Sequence, residues 1–142
     1  METSASMSEQ HVEPVVVSNK KVWAGRILSG LSVAFLLFDS IGKLMRVPQV
    51  LEGSEQLGYP VSSVRGIGVV LLASVVTYMI PRTSVLGAIL LTGFLGGAVA
   101  THVRVDNPLF SHVLFPVYVA AMIWGGLLLR DERLRALLPL RK

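Results

Sequence analysis

The chain has 142 residues and a mass of 15.4 kDa, which suits a single domain. Its residues are 52% hydrophobic and only 15% charged, whereas soluble domains carry about 25% charged residues. The net charge of +4 does not indicate nucleic-acid binding, because the Lys and Arg residues flank apolar segments and form no patch with aromatic residues. The composition therefore predicts a membrane protein, and the lack of cysteine excludes disulfide scaffolds and thiolate metal sites.

The two ends of the sequence are polar and differ from its apolar middle. Residues 1–19 are rich in Ser and Glu, have no apolar period and predict a disordered tail. They also lack the basic start and the cleavage pattern of a secretory signal, so we expect the first apolar segment to be retained. Residues 139–142 predict a basic C-terminal tail, which leaves one membrane domain over residues 20–138.

Four apolar segments make up this domain, each close to the roughly 20 residues that cross about 30 Å of hydrocarbon. Only helices and closed barrels satisfy every backbone polar group in lipid, and these segments lack the alternation of barrel strands. We therefore predict an all-α fold, an integral membrane bundle of four transmembrane helices. The predicted helices cover about residues 22–44, 64–80, 83–103 and 108–129.

Short polar segments join the four predicted helices. Pro81-Arg82-Thr83 predicts a tight turn that makes the second and third helices antiparallel neighbours, and Asp106-Asn107-Pro108 predicts the same for the third and fourth. In the long first connection, Pro48 and Gly58 bracket a short helix that Pro60 closes. Because this helix is too short and too polar to cross a membrane, we expect it to lie along the membrane interface or to cap the bundle.

The distribution of basic residues predicts the orientation, since cytoplasmic ends of membrane helices carry an excess of Lys and Arg. Four basic residues fall at the end of the bundle opposite the termini: Lys43, Arg46, Arg65 and Arg104. Nine fall at the end that holds both termini: Lys20, Lys21, Arg26, Arg82, Arg130, Arg133, Arg135, Arg141 and Lys142. Both termini are therefore predicted to be cytoplasmic.

Small residues recur on the third predicted helix. Ala88, Thr92, Gly96 and Ala100 are spaced four residues apart, and Gly93 and Gly97 form a GxxxG motif. Small residues on one stripe let helix backbones approach closely in lipid. We therefore predict that the third helix is the tightly packed centre of the bundle.

Ionisable residues in membrane segments are costly to bury and mark candidate functional sites. The predicted topology places five of them at one depth, near the non-cytoplasmic face: Asp39, Lys43, His102, Arg104 and His112. Asp39 and Lys43 are four residues apart and can pair on one helix face. Such a cluster can bind a carbonyl or anionic group or relay protons, which fits a quinone headgroup. The alternative is an interfacial ion pair beside solvated loop residues, without a ligand.

Other kinds of site are not predicted. His102 and His112 lack a zinc-ligand motif, and the axial histidines of a haem would be expected deeper in the bundle. The sequence also lacks a nucleophile elbow, a phosphate-binding loop and a paired-carboxylate pattern. We therefore predict no metal site, no catalytic residues and no self-contained catalytic centre.

Several motifs follow one another in a fixed order over about residues 23–138. They are an early arginine in the first helix, Gly42-Lys43-Leu44, Leu57-Gly58-Tyr59-Pro60, Tyr78-x-Ile80-Pro81-Arg82-Thr83, the glycine-rich run from Gly87 to His102, and Pro108-Leu109-Phe110-Ser111-His112. In these motifs the chain resembles the DoxX-like membrane proteins, in particular the small branch found widely in bacteria.

The resemblance implies a four-helix transmembrane bundle in the bacterial cytoplasmic (inner) membrane. The family takes its name from a small subunit associated with quinone-linked sulfur oxidation in archaea, so the resemblance also implies a quinone-linked or redox-accessory role. Asp39-Ser40 departs from the family pattern, in which a small or Gly-rich segment precedes the lysine.

Three functions fit these observations to different degrees. The favoured one is a redox-accessory membrane subunit that binds a quinone or a partner oxidoreductase through the five-residue cluster. The alternative is a structural or interaction subunit without a ligand site. Either of these two kinds of subunit could form a homo-oligomer. A small dimeric transporter is the least favoured, because it would need an acidic residue at mid-membrane and the middles of all four helices are apolar.

Overall fold

The computed structural model of the protein describes residues 19–138, which are mostly helical and contain no β-strand. Four spans are long and apolar enough to cross a membrane, which confirms the predicted transmembrane bundle. The predicted tails at residues 1–18 and 139–142 lie outside the described residues. In chain order the elements are α1 (Asn19–Leu44), α2 (Pro48–Gln56), α3 (Val61–Met79), α4 (Ser84–Arg104), a π-helical turn (Leu109–Val113), α5 (Phe115–Arg130) and α6 (Glu132–Leu137).

Helix α2 confirms the short helix predicted between the first two spans. Pro48 occupies its first turn, where the missing N–H of proline costs no hydrogen bond. The chain leaves the helix through Gly58, whose φ of +83° lies in the left-handed region that glycine adopts without strain. Pro60 then precedes α3 in an extended conformation. The location of α2 at the membrane interface stays a prediction.

The four spans form a closed ring in which each helix packs against two neighbours. Helix α1 contacts α3 and α5, and α4 contacts the same two helices from the opposite side. The core between them is apolar and fully buried, and it includes Leu36, Leu71, Leu91 and Ile123. We call the end that holds Asn19 and the end of α5 the terminal end, and the opposite end the distal end.

Glycines sit where the helices approach most closely. At the crossing of α1 and α5, a Cβ on Gly25 would lie 2.7 Å from the carbonyl oxygen of Gly126. At the crossing of α3 and α1, a Cβ on Gly68 would lie 2.8 Å from the Cβ of Lys43. A Cβ on Gly87 would overlap the backbone of Tyr78 across the α3–α4 turn. These contacts need glycine because real Cβ atoms do not approach other atoms so closely.

The prediction that α4 is the tightly packed centre is wrong for most of its small-residue stripe. A Cβ added to Gly93, Gly96 or Gly97 would meet no atom of residues 19–138 within 4 Å. The face of α4 that packs inward instead carries Ala88, Leu91 and Leu95. Burying leucine side chains removes much more apolar surface from the surroundings than burying glycines does. The α4 helix therefore turns its leucine face toward the core, with Gly87 packed against the backbone of Tyr78.

The fourth span departs from a regular α-helix at its start. Val113 N and Leu114 N donate to the carbonyls of Pro108 and Leu109, at 3.2 and 2.9 Å, so the turn closes over five residues. Pro116 lies in the first turn of α5 and has no N–H to donate to an earlier carbonyl. The π-helical turn therefore precedes the proline and places His112 at the distal end.

Candidate functional site

Two of the five predicted site residues meet at the distal end of the bundle. The imidazole rings of His102, on the last turn of α4, and His112, in the π-helical turn, are edge to face with centroids 5.8 Å apart. His102 is half-buried and His112 is exposed. We call these two residues the histidine pair.

Neighbouring polar groups orient both rings of the histidine pair. The Asn107 side-chain nitrogen is 2.8 Å from His102 Nδ1, and as an amide nitrogen it can only donate. His102 Nδ1 therefore accepts, so in the neutral ring the proton is on Nε2. Ser111 Oγ lies 2.7 Å from His112 Nδ1. In both rings the Nδ1 atom is engaged by the protein and the Nε2 atom remains available for a ligand.

Asp39 and Lys43 form the ion pair that their spacing predicts, on the last turns of α1. Both side chains are largely shielded, with 32% of Asp39 and 17% of Lys43 exposed. Among residues 19–138, no hydrogen bond, salt bridge or ring contact joins this ion pair to the histidine pair. His102 lies on α4, which does not pack on α1, and the π-helical turn that carries His112 contacts α4 and α5 but not α1.

Arg104, the fifth predicted residue, holds a loop in place. Its Nη2 donates to the carbonyl of Leu57 at 2.7 Å, and its guanidinium packs against Gly58. One residue further along this loop, Tyr59 Oη lies 2.8 Å from Thr101 Oγ1 on α4. Together these bonds fasten the α2–α3 connection to the end of α4, beside the histidine pair.

The chemistry open to the distal end is hydrogen bonding to a carbonyl or anionic oxygen. Among the described residues, no three His, Asp or Glu side chains gather closely enough to hold a metal ion. Two imidazole Nε2 atoms can donate to a ligand or exchange protons with it. Three exposed apolar residues lie within three positions of one of the two histidines in the sequence: Val103, Leu109 and Phe110.

A polar network at the terminal end was not predicted from the sequence. Tyr78 on α3 is only 1% exposed, and its hydroxyl donates to the Ile123 carbonyl on α5 at 3.0 Å. Ser29 Oγ on α1 lies 2.8 Å from the same hydroxyl and must donate to it, because the tyrosine has a single O–H. Ser84 Oγ on α4 donates to the Tyr78 carbonyl at 2.9 Å.

Tyr78 therefore connects all four spanning helices. The sequence feature that could have revealed this network is a tyrosine and a serine inside otherwise apolar segments. Buried polar groups in membrane helices usually form hydrogen bonds across helices. The guanidinium of Arg130, at the end of α5, lies over the Tyr78 ring at 5.3 Å from its centroid. In the sequence this arginine is one of the nine basic residues that predict the orientation of the bundle.

A family model for DoxX-like proteins matches residues 27–126, most of the chain. The chain therefore belongs to the DoxX-like family, and the resemblance predicted from its motifs is confirmed. The matched range includes the histidine pair and the Asp39–Lys43 ion pair, whereas Arg130 lies outside it. No curated protein and no solved structure matches the chain.

Proposed function

We propose that this DoxX-like protein is a redox-accessory membrane subunit that binds a quinone headgroup at the histidine pair. In this proposal the protein has no catalytic centre of its own and presents the quinone to a partner oxidoreductase. The observation that carries it is the edge-to-face contact of His102 and His112, in which the Asn107 side chain places the proton of the neutral His102 ring on Nε2.

The hydrogen-bonding needs of a quinone match the histidine pair. A quinone headgroup is a flat ring with carbonyl oxygens that accept hydrogen bonds, and reduction adds protons to those oxygens. His102 Nε2–H supplies a donor, and His112 supplies a second imidazole beside it. An apolar ring and isoprenoid tail would also need an apolar surface, which Phe110 offers with 75% of its side chain exposed.

The other predicted site residues have indirect roles in this proposal. Arg104 fixes the α2–α3 loop beside the histidine pair through its bond to Leu57. Asp39 and Lys43 neutralise each other on α1, so they contribute polarity to the distal end without a net charge. We therefore expect the affinity for quinone to depend strongly on His102 and His112, and weakly on Asp39 and Lys43.

The test is equilibrium binding of a short-chain ubiquinone to the full chain purified in mild detergent. We expect one bound quinone per chain, and at least tenfold weaker binding after His102→Phe together with His112→Phe. Tenfold corresponds to about 1.4 kcal/mol, the size of a single lost hydrogen bond. Phenylalanine keeps an aromatic ring and removes the nitrogen atoms. Mass spectrometry of organic extracts would identify the quinone that the protein retains from its own membrane.

His11→Phe is the matched control, because it makes the same substitution outside the membrane spans. It should bind quinone as the wild type does. Equal binding by the wild type and the double variant would refute a site at the histidine pair. If neither binds quinone and the extracts contain only bulk lipid, the structural or interaction subunit becomes the better function, and chemical crosslinking in the native membrane would search for its protein partner.

The proposal includes a location in the bacterial cytoplasmic membrane with both termini in the cytoplasm. It is supported by the basic side chains at the terminal end of the bundle, which outnumber those at the distal end. Green fluorescent protein fused to Lys142 should fluoresce, and alkaline phosphatase fused there should be inactive. The reverse pattern would invert the topology and place the histidine pair on the cytoplasmic side.

A further inference from the structure

The terminal end of the bundle contains a cleft that the proposed quinone site does not use. It has a volume of about 240 Å³ and opens between α1, α3 and α5. Its polar lining combines two guanidinium groups with two hydroxyl-bearing side chains: Arg26, Arg130, Ser29 and Tyr78. Gly30, Val33 and Met79 complete the wall.

Arg130 is held in this cleft by an aromatic platform. Its guanidinium carbon lies 5.3 Å from the centroid of the Tyr78 ring, within the range of a cation–π contact. The platform is rigid, because the Tyr78 hydroxyl is bonded to Ser29 on α1 and to the Ile123 carbonyl on α5. One face of the guanidinium is therefore covered, and its hydrogen-bond donors lie along its edge.

That edge is buried and unsatisfied. Nε and Nη2 of Arg130 are inaccessible to solvent, and no atom of residues 19–138 accepts a hydrogen bond from either. Nη2 is the terminal nitrogen on the same side as the Nε hydrogen, so the two donors point in one direction. This is the edge with which arginine binds a carboxylate or phosphate through two parallel hydrogen bonds. Leaving charged donors buried without an acceptor is costly, which favours an anionic ligand here.

The nearby carboxylates are engaged elsewhere. Asp131 Oδ1, next in sequence, accepts from Leu134 N at 3.1 Å and caps α6. Glu132 Oε1 lies 3.8 Å from Arg135 Nη2, on the same short helix. The described lining of the cleft therefore carries two positive charges, from Arg26 and Arg130, and no carboxylate.

We propose that this cleft binds a phosphate group. The Nε–Nη2 edge of Arg130 is closed to solvent in this structure, so its side chain turns this edge into the cleft to donate two hydrogen bonds, and Arg26 supplies a second positive charge. Phosphate matches this arrangement better than a carboxylate, because its several oxygens can bond to one arginine edge and still face the other arginine. The group can belong to an anionic phospholipid or to a soluble phosphate. The exposed Trp23 beneath the Arg26 guanidinium fits the headgroup layer, where tryptophan side chains concentrate.

The experiment uses the full chain, delipidated in a neutral detergent, with two kinds of probe. Native mass spectrometry would compare dioleoylphosphatidylglycerol with dioleoylglycerol, which has the same acyl chains and no phosphate. Thermal unfolding would compare inorganic phosphate with chloride at equal ionic strength. We expect the phosphate-bearing lipid to bind at least tenfold more tightly than dioleoylglycerol. Protection by inorganic phosphate without such a lipid preference would also support the site and identify a soluble ligand.

Two substitutions at Arg130 test the geometry, and a third serves as control. Arg130→Gln removes the charge, and Arg130→Lys keeps the charge but loses the two-donor edge. Both should weaken phosphate binding about tenfold or more, since hydrogen bonds to charged groups are the strong ones. Arg133→Gln changes the net charge equally at an exposed position three residues away, and should bind as the wild type does.

Three results would overturn the proposal. The first is equal binding of the two lipids together with no effect of inorganic phosphate. The second is an equal loss in Arg130→Gln and Arg133→Gln, which would indicate a diffuse charge effect. The third is a phosphate affinity of Arg130→Lys equal to that of the wild type. This variant still tests the proposal if Arg130→Gln does not fold. The cleft lies at the end of the bundle opposite the histidine pair, so a failed quinone test would leave this proposal intact.

Discussion

The glycines of the bundle fall into two groups that look alike in the sequence. Gly25, Gly87 and Gly126 lie where helix backbones touch, and a Cβ at any of them would collide with a neighbouring helix. Gly93 and Gly97 form the one GxxxG motif on α4, yet a Cβ at either meets no described atom within 4 Å. A small-residue motif therefore permits close packing but does not by itself determine which face of a helix packs inward.

The largest expected effect comes from Gly87→Ala, since the new methyl group would overlap backbone atoms of Tyr78 that cannot rotate away. We expect a loss of about 3 kcal/mol in the free energy of unfolding, the upper part of the range for overpacking in a tightly packed site. The measurement is unfolding of the purified protein in mixed detergent and SDS, followed by circular dichroism. A loss well below 1 kcal/mol would mean that α3 and α4 can separate at their turn without cost.

Tyr78→Phe should have an intermediate effect. It removes the hydroxyl that joins α1 to α5, and with it the bonds to Ser29 Oγ and to the Ile123 carbonyl. We expect a loss of about 1 kcal/mol in unfolding free energy, the usual size of one interhelical hydrogen bond in a membrane protein. Tyr118→Phe is the matched control, because Tyr118 is on α5 with 48% of its side chain exposed. Equal losses in the two variants would show that the network contributes nothing specific.

The smallest effect is expected for Gly93→Ala, which makes the same substitution as Gly87→Ala at a glycine without a close neighbour. The methyl group enters open space and glycine is a poor helix former, so unfolding free energy should stay the same or rise by up to about 1 kcal/mol. Both variants would be measured under the same detergent conditions. A large loss for Gly93→Ala would reveal a contact that a single chain does not contain, such as one with a second copy.

The two polar ends of the bundle also differ in how well sequence alone predicted them. Of the five residues expected to form one cluster, the structure joins His102 to His112 and Asp39 to Lys43, and it uses Arg104 to fasten a loop. Residue spacing predicted the ion pair, because both members lie on one helix. It predicted the common depth of the histidines, but their contact depends on the π-helical turn before Pro116.

The arginine cleft at the terminal end was beyond prediction for a different reason. Arg26 and Arg130 are more than a hundred positions apart in the sequence, and both have the pattern of ordinary basic residues that flank membrane helices. Their approach requires α1 and α5 to be neighbours in the ring, which depends on the contact of Gly25 with Gly126. The Tyr78 platform is contributed by a third helix.

Local chemistry accounts for what could be predicted here from residue order. Apolar length defines the four spans, and Pro81, Pro48 and Gly58 define turns and the short helix α2, because each acts on the backbone within a few residues of itself. The rotation of α4 about its axis, the ring order of the helices and the buried edge of Arg130 were decided by tertiary structure. Those features depend on how the shapes of distant side chains fit together, which no local pattern encodes.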